Sequence, residues 1–203
     1  KKTKLLSKSK LEKAIEFKFS EKNLLVTYHP VTLENKTSQK QFSVLLDCLD
    51  KLDDTNIIFT LSNSDTDGRI INQMIYSFVE SHPSHTRAYT SMGQLNYLST
   101  LQFVDGMVGN SSSGLAEAPT FKIGTINIGD RQKGRLKADS VIDCVPTEES
   151  INKAINTLYS KDFQKILPMI ENPYGKGDTT EKIIEVLCNT PIPEELKKEF
   201  YDL

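Results

Sequence analysis

Short apolar segments alternate with amphipathic segments along most of this 203-residue chain. The short segments are rich in β-branched residues, as buried strands are, and the others repeat apolar residues at helical spacing. The predicted strands are 23–27, 56–61, 87–89, 106–108, 124–129 and 141–145, and the predicted helices are 39–52, 70–79, 95–103, 148–159 and 180–187, with one more starting at 114–118. This alternation predicts an α/β fold with a doubly wound, mostly parallel, Rossmann-like sheet and helices on both faces.

Composition excludes several classes of partner. The formal net charge is −2 and the pI is about 6.0, so the basic surface of a nucleic-acid-binding protein is missing. No segment suits a bilayer span or a signal peptide, which predicts a cytoplasmic protein without a membrane partner. Cys48, Cys144 and Cys188 lie far apart in apolar surroundings, which predicts reduced core thiols. No metal and no cofactor is expected.

The segment from Gly106 to Glu117 predicts a strand, a tight turn and the start of a helix. Small residues at such a turn allow a ligand to approach the backbone, and free N–H groups with the helix dipole suit a phosphate. Ser111, Ser112 and Ser113 are placed to donate to phosphate oxygens, and Glu117 lies about one turn further on, towards ribose hydroxyls. The alternative is an ordinary turn whose serines cap the helix.

Other polar residues also follow predicted strands, at the edge where ligands of parallel sheets bind. His29 follows the first strand just before Pro30, so its imidazole is placed to bind a diphosphate; the alternative is a surface histidine with no role. Asn63 ends the second strand, where an Asx-turn is the competing interpretation. Arg131 lies in the basic, glycine-containing turn 129–135, which either clamps a phosphate or is a solvated loop. No catalytic triad or acid–base pair of carboxylates stands out.

Four strings in this chain resemble the hydrolysing UDP-N-acetylglucosamine 2-epimerases of sialic acid biosynthesis. In order, these are Val-Thr-Tyr-His-Pro-Val-Thr (26–32), Gly-Asn-Ser-Ser-Ser-Gly (109–114, with Glu117), Ile-Asn-Ile-Gly-Asp-Arg-Gln-Lys-Gly-Arg (126–135) and Asn-Pro-Tyr-Gly-Lys-Gly (172–177). The resemblance extends over about residues 20–190. Members of that family have two Rossmann-like domains facing each other across a cleft, the GT-B arrangement, and this chain resembles the carboxy-terminal one alone.

The resemblance implies a domain organisation. Residues 1–20 would be a linker and helix from a missing amino-terminal domain, with Ser9 and Glu12 at capping-box spacing. Residues 21–189 would form the UDP-binding Rossmann-like domain, and residues 190–203 a trailing amphipathic helix. The expected partners are UDP or UDP-N-acetylglucosamine, the missing domain and, for the full-length protein, further copies of itself.

The resemblance also implies a reaction. UDP leaves from C1 of the sugar as the C2 proton is abstracted, and water then adds to give N-acetylmannosamine. His29 would contact the diphosphate and assist its departure. The substrate-binding residues would be Asn63, Asn110, Ser111, Ser112, Glu117 and Arg131. The acidic residues for proton abstraction lie in the family's amino-terminal domain, so the chain alone is expected to bind UDP weakly without turnover.

Two other functions fit the same sequence. The donor-binding domain of a GT-B glycosyltransferase also uses serine and glutamate at such a turn, and a stand-alone nucleotide-sugar-binding module needs no catalytic acids. A diacetamido sugar such as diacetylbacillosamine is an alternative to N-acetylglucosamine.

Overall fold

A computed structural model describes residues 3–30, 37–52, 54–62, 66–175 and 177–191. The chain divides into two compact units, residues 1–173 and 174–203. The strands are β1 (Lys22–Thr27), β2 (Thr55–Thr60), β3 (Thr86–Tyr89), β4 (Gly106–Gly109), β5 (Gly124–Ile128) and β6 (Val141–Cys144). The α-helices are α1 (Lys8–Ile15), α2 (Ser38–Leu49), α3 (Thr66–Ser81), α4 (Gly93–Thr100), α5 (Ser113–Ala116), α6 (Glu148–Leu158), α7 (Lys161–Ile166) and α8 (Thr179–Asn189). Two 3₁₀-helices follow α5 and α7, at Ala118–Phe121 and Leu167–Met169.

The six strands form one sheet in the order β3-β2-β1-β4-β5-β6, and every neighbouring pair is parallel. The predicted α/β class with a doubly wound parallel sheet is therefore confirmed. The strand order reverses between β1 and β4, so the connections that leave these two strands run to opposite halves of the sheet. Such a reversal opens a crevice at the carboxyl ends of the two strands.

Both faces of the sheet are covered because alternate side chains of a strand point to opposite faces. Leu24 and Val26 of β1 pack in one core with α2, α3 and α6, whereas Leu25 packs in a second core with α1 and α4. The central strands are buried on both sides, which explains the apolar runs in β1 and β4, whereas β5 also buries the polar Thr125 and Asn127.

Helix α1 joins the second core through Leu11 and Ile15, which are buried. The predicted capping box is wrong, because α1 begins at Lys8 with Ser7 as an N-cap that makes no side-chain hydrogen bond. Glu12 instead accepts a hydrogen bond at Oε1 from the backbone N–H of Phe19, at 3.0 Å, beyond the end of the helix. The assignment of residues 1–20 to a preceding domain stays a prediction, as do the other predicted boundaries.

The prediction that the three cysteines are core thiols does not hold for all of them. Cys48 is buried and Cys144 half-buried, and burial raises the pKa of both thiols, that of Cys144 to about 12. Cys188 is exposed, so its prediction as a core thiol is wrong. It lies on α8, a helix of the second unit whose apolar residues are themselves exposed, Ile183, Ile184, Val186 and Leu187 among them. The predicted trailing helix beyond residue 191 lies outside the described residues.

No helix in the described part of the chain has the length and apolarity to cross a membrane. Within the same ranges, no three His, Cys, Asp or Glu side chains are grouped in a way that suits a metal ion.

Candidate functional site

The predicted site residues gather where the strand order reverses. Thr27, the last residue of β1, pairs with Thr60 of β2 on one side and with Gly109 of β4 on the other. His29 follows β1 and Asn110 follows β4, so the chain exits of two adjacent strands bring these residues together at the carboxyl edge of the sheet.

A cavity of 380 Å³ opens at this edge, between the ends of β1 and β2, the start of α4 and the turn after β4. Three predicted site residues line it, namely His29, Ser111 and Glu117. Its other lining residues include Thr27, Thr60, Leu61, Ser91, Met92, Gly93, Gln94, Tyr97 and Ser113. The structure therefore adds one wall from β2 and one from α4, which the sequence patterns did not indicate as part of the site.

The remaining predicted site residues lie differently. Ser112 is exposed and is not among the residues that line the cavity. Asn63 lies outside the described residues. Asn110 and Arg131 lie next to the cavity and contact the chain around it.

Asn110 connects the two strand exits. Its Oδ1 accepts a hydrogen bond from the backbone N–H of His29 at 2.7 Å, and its Nδ2 donates to the carbonyl oxygen of the same residue at 2.8 Å. Its own backbone N–H donates to the carbonyl oxygen of Thr27 at 3.1 Å. Because Asn110 is only 1% exposed, its side chain acts as a buried clamp that fixes the backbone of His29.

The turn after β5 is held to the same point. The backbone carbonyl of Asn110 accepts hydrogen bonds from Nη1 of Arg131 at 3.1 Å and from Nε2 of Gln132 at 2.7 Å. Gln132 is 1% exposed and anchors the turn, whereas Arg131 is exposed. Through this hydrogen bond, Arg131 places positive charge beside the exits of β1 and β4.

The imidazole of His29 is held by its neighbour at the exit of β2. Its Nδ1 lies 3.3 Å from the hydroxyl oxygen of Ser62. Ser62 is itself fixed by Asn72 of α3, whose Oδ1 accepts from the backbone N–H of Ser62 at 2.8 Å and whose Nδ2 donates to its carbonyl at 3.3 Å. Sequence patterns could not reveal either residue, because the contact depends on the pairing of β1 with β2.

The helix predicted to start after β4 is present, but it is short. Helix α5 has four residues, and a 3₁₀-helix containing Pro119 follows it. Proline has no N–H and cannot continue the α-helical ladder, so α5 does not extend through it. A helix of four residues has a smaller dipole than a long one, so the predicted phosphate site depends more on local hydroxyl groups. Ser111 Oγ accepts from the N–H of Ser113 at 3.3 Å, which leaves its own hydrogen to donate.

Tyr97 and Ser113 form a hydrogen-bonded pair in the wall of the cavity. The Tyr97 hydroxyl donates to Ser113 Oγ at 2.5 Å. Burial raises the pKa of Tyr97 to about 12, although the hydrogen bond with Ser113 opposes the shift. Tyr97 therefore stays protonated and holds Ser113 as a hydroxyl donor towards the cavity.

Glu117 supplies the carboxylate of the cavity. Its Oε2 is buried and has no hydrogen-bond partner among the residues that the structure describes, although the residue as a whole is partly exposed. Leaving a buried carboxylate oxygen without a partner is costly, and such atoms usually mark a place that a water or ligand fills. The hydroxyl groups of a sugar are donors that match this oxygen.

The glycine at the end of β4 has a different role from the predicted one. A Cβ on Gly109 would lie 2.0 Å from the carbonyl oxygen of Thr27, and its φ is +133°. The small residue therefore makes room for strand β1 and not for a ligand. This close approach brings Asn110 within reach of His29.

A second cavity of 520 Å³ lies at the same edge, between α2, β5, β6 and the start of α6. Tyr28, Gln41, Gly129 and Asp130 are among its lining residues, with Asp143 and Val145. It contains none of the predicted site residues, so the smaller cavity is the candidate site.

Comparison with known families identifies the chain. The family described as UDP-N-acetylglucosamine 2-epimerase matches residues 2–188. The chain belongs to the UDP-N-acetylglucosamine 2-epimerase family. The predicted UDP-N-acetylglucosamine 2-epimerase family is thereby confirmed, whereas the hydrolysing branch and the carboxy-terminal domain stay predictions.

Relatives show how much of a family member the chain represents. It is 39% identical over 199 residues to the GDP/UDP-N,N'-diacetylbacillosamine 2-epimerase (hydrolyzing) of Campylobacter jejuni, a match that covers 98% of this chain and 51% of that protein. The chain thus spans about half the length of this relative.

Solved structures confirm the fold. The Neisseria meningitidis UDP-GlcNAc 2-epimerase bound to UDP-GlcNAc matches with a TM-score of 0.65 at 18% identity, covering 90% of this chain and 48% of that one. A UDP-glucose: anthocyanidin 3-O-glucosyltransferase in complex with UDP matches with a TM-score of 0.56 at 15% identity, covering 90% of this chain and 43% of that one. The chain therefore has the fold of one half of GT-B-like epimerases and glycosyltransferases.

Proposed function

We propose that this chain is the nucleotide-binding half of a hydrolysing UDP-N-acetylglucosamine 2-epimerase and corresponds to the carboxy-terminal domain of the whole protein. The whole enzyme converts UDP-N-acetylglucosamine and water to N-acetylmannosamine and UDP. The observation that carries this proposal is the cavity at the strand-order reversal, where Glu117, whose buried Oε2 has no partner among the described residues, shares a wall with Ser111 and Ser113.

The cavity offers a complementary group to each part of a nucleoside diphosphate. The carboxylate of Glu117 accepts hydrogen bonds from ribose hydroxyls. The hydroxyl of Ser111 donates to phosphate oxygens, and Arg131 neutralises part of the phosphate charge. His29 contacts the diphosphate and assists its departure from the sugar. Asn110, whose side-chain amide is used by the backbone of His29, contributes by fixing that histidine. Ser112 and Asn63 remain predicted binding residues.

Titration calorimetry of UDP into the chain tests this proposal. Glu117→Gln keeps the shape of the side chain but removes the charge. We expect it to lose about 1.5–3 kcal/mol of binding free energy, since hydrogen bonds to charged groups contribute that much. Ser111→Ala should weaken binding by about 0.5–1.5 kcal/mol. Ser84→Ala is the matched control, because Ser84 is exposed and lies just before β3, at the opposite edge of the sheet. Absence of UDP binding, or equal affinity of wild type and Glu117→Gln, contradicts the proposal.

The fold match to a glucosyltransferase supports a second candidate, the donor-binding half of a GT-B glycosyltransferase. A longer protein that includes the other half separates the two. The epimerase releases UDP and free sugar into water, whereas the glycosyltransferase releases UDP only when an acceptor is present and receives the sugar. A stand-alone nucleotide-sugar-binding module would bind UDP without either reaction.

The identity of the sugar in the substrate is a further part of the proposal. The relative at 39% identity is named for a diacetamido sugar, N,N'-diacetylbacillosamine. Parallel assays of the longer protein with UDP-N-acetylglucosamine and UDP-N,N'-diacetylbacillosamine decide between them by the ratio of kcat/KM values.

A further inference from the structure

Strand register places His29 beside Ser62. Strands β1 and β2 pair in parallel with Thr27 opposite Thr60. The Oγ1 atoms of Thr27 and Thr60 are hydrogen-bonded to each other. Two residues beyond the end of each strand, Nδ1 of His29 lies 3.3 Å from Oγ of Ser62, so a second side-chain contact joins the exits of β1 and β2.

Ser62 is held more firmly than an ordinary loop residue. It is 7% exposed, and both its backbone N–H and its carbonyl are hydrogen-bonded to the side-chain amide of Asn72. Asn72 projects from α3, whose residues Ile71 and Ile75 are buried in the core. The backbone that carries the Ser62 hydroxyl is thus fixed by the packing of a helix and does not depend on a ligand.

A serine hydroxyl suits a histidine that changes its protonation state. The hydroxyl can accept a hydrogen bond from Nδ1–H or donate one to an unprotonated Nδ1. It can therefore hold Nδ1 in both tautomers of the neutral ring and in the protonated ring, whereas a carbonyl oxygen can only accept from Nδ1–H. Because Nδ1 is committed to Ser62, contact with a diphosphate is assigned to Nε2.

We infer that Ser62, fixed by Asn72, is a positioning residue that orients the imidazole of His29 towards the diphosphate. This inference rests on the proposed function, since it concerns the histidine placed on the leaving group. Ser62 itself touches no reacting atom in this arrangement, and its contribution is made through His29.

Imidazole nitrogen NMR of the ¹⁵N-histidine-labelled chain tests the contact directly, without a ligand. The chain has three histidines, and loss of one set of signals in His29→Gln assigns the ring. We expect Ser62→Ala to shift the Nδ1 and Nε2 signals of His29 and to leave those of His82 in place. Ser62→Thr keeps the hydroxyl and should restore them. Unchanged His29 signals in a folded Ser62→Ala variant overturn the inference.

The chain offers a matched control for this measurement. Ser84 Oγ lies 3.1 Å from Nδ1 of His85, so Ser84→Ala removes the same kind of contact at an exposed position just before β3. It should shift only the ring signals of His85 and leave the affinity for UDP unchanged.

A double-mutant cycle on UDP binding tests the role. Removing one hydrogen bond to a neutral partner corresponds to about a two- to tenfold loss of affinity. We expect Ser62→Ala to weaken binding by that factor, and to have no further effect in the His29→Gln background, because Ser62 acts through the ring. Additive losses in the double variant contradict the positioning role.

The two proposals fail in distinguishable ways. If the wild-type chain does not bind UDP, the proposed function is wrong, whereas the ring signals still report whether Ser62 orients His29. If UDP binds and His29→Gln weakens it, but Ser62→Ala changes neither the affinity nor the ring signals, only the inference about Ser62 is wrong.

Discussion

A methyl group on Gly109 provides a severe test of how the candidate site is assembled. Gly109 ends β4 with φ at +133°, and a Cβ there would lie 2.0 Å from the carbonyl oxygen of Thr27 and 2.8 Å from its carbonyl carbon. These are backbone atoms of a central strand, so no side-chain rotation can relieve the overlap. Gly109→Ala therefore has to move β4 away from β1 and to break the hydrogen bond from Asn110 N–H to Thr27.

Two costs combine in this variant. A residue with a side chain in a sparsely populated region of positive φ costs about 1–3 kcal/mol. Overpacking of a well-packed interior costs about another 1–3 kcal/mol. We therefore expect Gly109→Ala to lower the free energy of unfolding by about 2–6 kcal/mol, which is a large share of the stability of a typical domain.

Urea denaturation gives the free energy of unfolding of Gly109→Ala and of Gly134→Ala. The difference between their losses is the part that is due to the close approach of β4 to β1. Gly134 also has a positive φ, +80°, but no atom of the described residues lies within 4 Å of the point that a Cβ would occupy. This control should lose only the conformational cost, about 1–2 kcal/mol. Equal losses in the two variants would refute the argument that Gly109 is required by the carbonyl of Thr27.

Two further predictions concern stability and activity. Burial raises the pKa of Asp105, although a hydrogen bond from the backbone N–H of Asn23 opposes the shift. The folded protein then binds this proton more tightly than the unfolded chain, so stability falls as pH rises through the carboxyl range, and Asp105→Asn should reduce that slope in denaturation curves. The purified chain should bind UDP but release no N-acetylmannosamine from UDP-N-acetylglucosamine in a coupled assay; turnover would show that the catalytic acids are present in this half.

The fold could be predicted because each strand and helix carries its own pattern. Runs such as Leu24–Val26 and Ile57–Phe59 have no polar position, which indicates strands buried on both faces, and the helices between them require crossovers. Helix α7 was missed, although Ser160 caps it by accepting from the N–H of Phe163. Pro119, two residues after Glu117, was the available sign that α5 would end early.

The site could be predicted only in part, since its parts come from distant segments. His29, Ser111 and Glu117 follow strand ends and line the same cavity, as the fold class requires. Tyr97 and Ser62 were missed because their roles depend on helix packing and on strand register. These are tertiary facts, and no local pattern encodes them.

Asn110 and Asn72 each hydrogen-bond the backbone of a single residue, as a neighbouring strand hydrogen-bonds the backbone of a whole segment. Each side-chain amide occupies the N–H and the C=O of one residue just past a strand, His29 and Ser62 respectively. These two exits are consequently rigid before any nucleotide arrives. Binding a nucleotide therefore costs little free energy for ordering the protein at these two exits. The affinity for a nucleotide would then depend mainly on the contacts that it makes with the protein.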